Sequence, residues 1–178
     1  SSAMIDIVLI VLAARWILFS RTYRLLLTLL MFYALRSFFQ AIFFMRYPEG
    51  FLWDYPGFFS IAVEYFPKND FFYSGHLGML VIALLEFRRD QATFLQWFTG
   101  CGIVLNFITL LTTRTHYSID LITGMIIGHY MYIIGEKISN YLEKSQNENC
   151  DRQKQIEETE EHDHLVFDEE NPSKKYVF

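Results

Sequence analysis

Two cysteines in 178 residues are too few for a disulfide scaffold. Positive charge is not in excess either. The formal net charge is −5, and no basic stripe runs along the chain, which excludes a nucleic-acid binder. No internal repeat is found, and no cleavable signal peptide is apparent. The length suits one domain. Charge of both signs is sparse over residues 1–136, with nine acidic and nine basic side chains. Residues 137–178 hold eleven acidic and six basic ones, so the whole net charge of −5 sits in that last stretch. What the chain has in abundance is apolar surface. Apolar residues make up 52% and aromatics 18%, which rules out disorder of the whole chain. An electrically balanced apolar body followed by an acidic stretch reads as a membrane-embedded domain, residues 1–136, with a cytosolic tail, residues 137–178.

The clearest span is the charge-free run from Gln91 to Thr113. Its 23 residues reach about 34 Å as a helix, enough to cross a bilayer core. Four other apolar stretches carry interruptions: Asp6 and Arg15 in 3–20, Arg24 and Arg36 in 22–45, His76 and Glu86 in 73–87, and Asp120 in 117–135. The expected fold is an all-α polytopic transmembrane bundle of about five spans. Arg21 and Arg24 mark the first joint, Arg88 and Arg89 the third. Short basic joints stay cytoplasmic. The C-terminus is therefore placed in the cytosol, and loop 46–72 and the link near Arg114 on the lumenal side. Five spans with an external N-terminus point to an upstream segment missing from the chain. Residues 145–170 are poor in apolar side chains and read as solvated and disordered. His162 and His164 within them read as part of that solvated run, not as a metal site. Cys101 and Cys150 are not expected to pair.

Ionisable groups at membrane depth are costly and call for a reason. Two clusters fall at one membrane face. The first is Asn69-Asp70-Phe-Phe-Tyr73-Ser74-Gly75-His76; the second is Arg114-Thr115-His116-Tyr117-Ser118-Ile119-Asp120. His116 and Asp120 are four residues apart and share a helix face. A carboxylate there orients an imidazole through one nitrogen and leaves the other as nucleophile or base. Gly124 and Gly128 continue the stripe and allow another helix to approach closely. Ser74-Gly75 at a helix start offers backbone N–H groups to a phosphate, with His76 beside it as a general acid. His129, 13 residues beyond His116 and about 20 Å along the helix, reads as a packing residue. A zinc site of His76, His116 and Asp120 lacks a further Cys or His, so neither metal nor cofactor is expected.

Together, Tyr73-Ser-Gly-His76 and His116-Tyr-Ser-Ile-Asp120 resemble the signatures of the type 2 phosphatidic acid phosphatase superfamily. They resemble most its sphingomyelin synthase-like branch, which has an Asp six residues before the first His, here Asp70. With Thr113-Arg114-Thr-His116 added, the stretch is closest to the phosphatidylcholine:diacylglycerol cholinephosphotransferases. The resemblance covers roughly residues 30–136. It implies a six-helix integral membrane enzyme of the endoplasmic reticulum or Golgi with a lumenal active site. It also implies transfer of a phospho-head group, phosphocholine first, from a phospholipid donor to diacylglycerol or ceramide. His116 would be the nucleophile, Asp120 its orienting partner, and His76 the acid and then the base. The superfamily's lipid phosphatases carry Pro where this chain has Tyr73, and Arg where it has Leu110. Transfer is thus favoured over hydrolysis, with a lipid phosphate phosphatase and a non-catalytic lipid-binding paralogue as the alternatives. Where the branch has Cys-Gly before the Asp, this chain has Lys68-Asn69.

Arg36 lies about 14 Å below the lumenal end of its stretch. It either holds the donor phosphate, with Gln40 four residues on, or pairs with Glu64 or Glu86. Arg114 is a second candidate for the phosphate. The loop Tyr47–Phe72 is rich in aromatics, including Trp53, Tyr55 and Tyr65. Interfacial anchoring explains most of them. A choline-binding aromatic cage is the alternative.

Overall fold

The computed structural model describes residues 2–19, 22–43, 73–114 and 116–170, with side chains described to residue 157. Among the described residues five helices follow one another: α1 (Ser2–Phe19), α2 (Tyr23–Ile42), α3 (Gly75–Arg89), α4 (Thr93–Thr112) and α5 (Ser118–Glu170). There is no strand among the described residues. The chain divides into two compact units, residues 1–139 and 140–178. The aromatic loop, Asp70 and Glu64 lie outside the described residues.

Among the described residues, three helical stretches are long and apolar enough to cross a membrane: α2, α4 and residues 118–157 of α5. Their outer faces are apolar. Leu26, Leu30 and Phe38 on α2 and Phe94, Trp97, Val104, Leu105 and Ile108 on α4 are all exposed. A water-soluble bundle would place charge there, whereas lipid is the solvent that suits such faces. The third apolar stretch behaves differently. α3 has only 15 residues, about 22 Å, short of a bilayer core of about 30 Å. It is apolar around most of its circumference because it is the central helix. Leu77, Leu80, Ile82 and Ala83 are all within 1% of full burial. Arg88 and Arg89 close its last turn, where positive charge suits the helix dipole. Arg15 reaches from α1 to Asp90 in the α3–α4 turn, at 3.3 Å.

Beside α1 and α4, the helices α2 and α5 pack against α3 in a constant register. α2 runs antiparallel to it, with contacts between Arg24 and Glu86, Phe32 and Gly78, and Arg36 and Gly75. α5 runs parallel to it. Its contacts join Asp120 to Ser74, Gly124 and Gly128 to Gly78, Tyr132 to Glu86, and Glu136 to Arg89. The glycine stripe read from the sequence is what makes this seam. A Cβ on Gly128 would stand 2.6 Å from the Gly78 carbonyl oxygen and 3.0 Å from its Cα. Backbone cannot yield as a flexible side chain does. Gly128→Ala is therefore expected to destabilise the folded state by about 1–3 kcal/mol. Thermal unfolding in detergent beside the parent protein checks this.

At the core's far end from Ser74, Arg24, Glu86 and Tyr132 meet. Arg24 donates from Nε to Glu86 Oε2 at 3.2 Å and from a terminal nitrogen to Oε1 at 2.5 Å. The Tyr132 hydroxyl donates to Glu86 Oε2 at 2.9 Å. All three residues are buried. The sequence reading counts Arg24 among the basic residues of the first joint, but its guanidinium is a core group. It also takes the Glu86 that was offered as a partner for Arg36.

The acidic tail differs from its expected disorder: α5 stays helical to Glu170. Residues 137–170 contain neither Gly nor Pro and are rich in Glu, Lys, Gln and Arg. Extending an existing helix needs no new nucleus. Lys144 and Glu148, four residues apart at 3.9 Å, line up as such a helix dictates.

Candidate active site

The two polar clusters come from the start of α3 and the start of α5, and the structure joins them. The Ser74 backbone N–H donates to the Asp120 carbonyl at 2.9 Å. Gly124 lies directly under the Ser74 backbone, where any side chain would collide with it. Two segments 46 residues apart in sequence are thereby held together through backbone atoms alone.

Local chemistry explains each helix start. Ser74 is the N-cap of α3, and its hydroxyl accepts from the Leu77 N–H at 3.5 Å. Asp120 is the third residue of α5. Its Oδ2 accepts from the Tyr117 N–H at 3.0 Å, as the carboxylate of a capping box does. The same oxygen lies 3.9 Å from His116 Nδ1. Asp120 is 1% exposed and the His116 side chain 9%. The carboxylate is thus a buried fixture that faces one imidazole nitrogen and leaves Nε2 pointing elsewhere. The expected contact is present as a face-to-face placement, longer than a hydrogen bond, because the backbone of Tyr117 holds the oxygen.

His76, the second residue of α3, is brought opposite. The His76 and His116 rings stand 6.4 Å apart between centroids at an interplanar angle of 70°. That spacing is wider than a stacked pair.

Arg36 completes this end. Its guanidinium lies against Gly75, in the place a Cβ would occupy. Only glycine permits that approach. The sequence reading puts Arg36 deep below the face of the membrane. In the structure α2 ends at Ile42, six residues beyond it, and α3 begins at the same level. Arg36 is therefore level with His76. The α3 N-terminus, the guanidinium and the two imidazoles together suit an anion. Arg114 follows α4 in a left-handed conformation, φ 51°, that L-residues adopt at a cost. It is exposed on the link that leads into His116.

Tyr73 and Ser74 are tied into the scaffold. Tyr73 is 1% exposed, and its hydroxyl donates to the Phe32 carbonyl of α2 at 2.7 Å. Ser74 is fully buried. His129 faces outward on α5, beside Tyr130. Cys101 and Cys150 are free thiols. What the sequence reading misses is the set Arg24, Glu86 and Tyr132. An acid and a base in separate apolar stretches were the available signal, but spacing along one chain does not say which charge meets which.

No curated protein and no solved structure matches the chain. The family model AtPDCT1/2 matches residues 2–137, the stretch that carries both polar clusters and the helices that join them. The chain accordingly belongs to the AtPDCT1/2 family, that of the phosphatidylcholine:diacylglycerol cholinephosphotransferases.

Proposed function

We propose that this protein moves phosphocholine from a phospholipid to a lipid alcohol, diacylglycerol or ceramide, by double displacement at His116. The observation that carries the reading is the facing pair of imidazoles, one beside a buried carboxylate and one at a helix N-terminus beside Arg36. In the first step His116 Nε2 attacks the donor phosphorus, and the bond from phosphorus to the glycerol oxygen breaks. His76, as imidazolium, gives its proton to the departing alkoxide, so diacylglycerol leaves neutral. Asp120 holds the His116 ring and balances the charge it gains. In the second step neutral His76 takes the proton of the acceptor hydroxyl. That oxygen attacks phosphorus, the P–N bond breaks, and both histidines return to their starting states.

Arg36, Arg114 and the backbone N–H at Gly75 are the phosphate-binding set in this reading, since the Ser74 N–H is taken by the Asp120 carbonyl. Asp70 completes the substrate side; Tyr73, expected there from the sequence, is instead buried with its hydroxyl on the Phe32 carbonyl and supports the site from behind. The reacting end faces the lumen of the endoplasmic reticulum or Golgi, and the C-terminus faces the cytosol. The test uses choline-labelled phosphatidylcholine in detergent, offered with unlabelled diacylglycerol and ceramide. Label is expected in a new choline lipid, whose identity names the acceptor. Label released only as a water-soluble product would make the protein a hydrolase. No turnover would end the phosphocholine reading and leave another head group, or a protein that binds lipids without changing them.

A further inference from the structure

Arg24, Glu86 and Tyr132 sit far from the reacting end, yet they lie on the three helices that build it. α2 carries Arg24 and Arg36, α3 carries Glu86 and His76, and α5 carries Tyr132 and His116. From Arg24 to Arg36 is 12 residues, about 18 Å; from Glu86 back to Gly75 is 11, about 16 Å. Both helices are continuous over those lengths, so a pairing at one end sets the register at the other. The contacts between the ends keep that register. Phe32 meets Gly78 midway, and the Arg36 guanidinium meets Gly75 at the reacting end. Thr28 on α2 lies against Gly135 on α5 and donates its hydroxyl to the Arg24 carbonyl at 2.8 Å. Arg24 Cζ stands 5.9 Å from the Tyr132 ring centroid.

The two seams differ in kind. α3 and α5 are held along their length by backbone contact at Gly78, Gly124 and Gly128 and by the Ser74–Asp120 hydrogen bond. That seam holds His76 and His116 in relation to each other. Among the described residues the α2–α3 seam shows no such backbone ladder, and its contacts run through the side chains of Arg24, Phe32, Tyr73 and Arg36. A bidentate guanidinium–carboxylate pair is directional in a way that apolar packing is not. Directional buried pairs of this kind have their best-attested use in setting register.

We propose that Arg24 and Glu86, backed by Tyr132, are positioning residues that set the depth of α2 against α3, so that Arg36 meets the phosphate of the donor lipid. The functional consequence rests on the transferase reading above; the positional one does not. Loosening the pair acts on donor binding and spares the His76–His116 chemistry.

The test is the double variant Arg24→Met with Glu86→Met, which replaces the pair by apolar side chains of similar length and leaves no buried lone charge. Donor KM is expected to rise about tenfold, with kcat within about twofold of the parent. The charge swap Arg24→Glu with Glu86→Arg restores a pair and is expected to recover most of the loss. A second measurement reads position without activity. Spin labels at Ser37→Cys on α2 and Ile119→Cys on α5, with Cys101 and Cys150 replaced by Ser, report the distance between those helices. The distance distribution is expected to broaden in the double variant and to narrow again in the swap. An unchanged distribution would overturn the proposal, and so would an unchanged donor KM in an active enzyme. Broadening in a protein whose parent transfers nothing would leave the positional role standing and sink the transferase reading instead.

Discussion

His116→Asn is expected to abolish head-group transfer, by about 10⁴-fold or more. Asparagine keeps the size and polarity of the site but offers no basic nitrogen to form a bond to phosphorus. The loss should therefore appear in kcat, with donor binding retained. A direct sign of the intermediate is expected as well. Brief exposure of the parent to choline-labelled phosphatidylcholine, without acceptor, should leave label on the protein. A P–N bond is labile to acid and stable to base, which separates it from a phosphoester. The variant should carry no label. Transfer by His116→Asn at the parent rate would end the double-displacement reading. Transfer by the parent with no protein-bound label would favour direct attack by the acceptor hydroxyl, with His116 as a base.

Glu86→Ala is expected to cost about 3–5 kcal/mol of stability, the largest structural effect of any single change considered. The reason lies in what remains. Arg24, 4% exposed, would lose both of its guanidinium–carboxylate contacts. The Tyr132 hydroxyl, on a side chain at 6%, would lose the acceptor it uses. A lone guanidinium inside a membrane helix bundle is costly, because no water repays its lost hydration. Thermal unfolding in detergent, followed by tryptophan fluorescence or by retention of the monodisperse peak, reads the change. Stability equal to the parent would mean that the pair is solvated in the folded protein. The contrast with the paired Met variant is informative. Removing one partner leaves a bare charge, whereas removing both leaves only a loss of direction.

How much of this was legible beforehand follows from the range of each interaction. His116 with Asp120, and Gly124 with Gly128, are spacings of four on a single helix, and helix geometry fixes their common face wherever the helix goes. The charge-free run that became α4 and the apolar stretch that became α2 are equally local, since length and composition decide them. The helix continuing to Glu170 was readable too, from its lack of Gly and Pro, but a rule that equates charge with disorder hid it. α2 ends at Ile42, three residues short of the expected stretch, and α3 begins beside Arg36, so the two together place Arg36 level with His76.

Which helix meets which, and at what depth, is a different kind of fact. Arg24 reads equally well as a joint charge or a core charge. Glu86 reads equally well as a partner for Arg36 or for Arg24. Sequence spacing carries no information between such choices, because the partners are 62 residues apart. Packing decides them. Glycines at 78, 124 and 128 let two backbones touch, the Ser74–Asp120 bond joins the two polar clusters, and the guanidinium of Arg36 lies where Gly75 has no side chain. The chemistry was written in residue types at short spacing; the site itself exists only because three helices share one register.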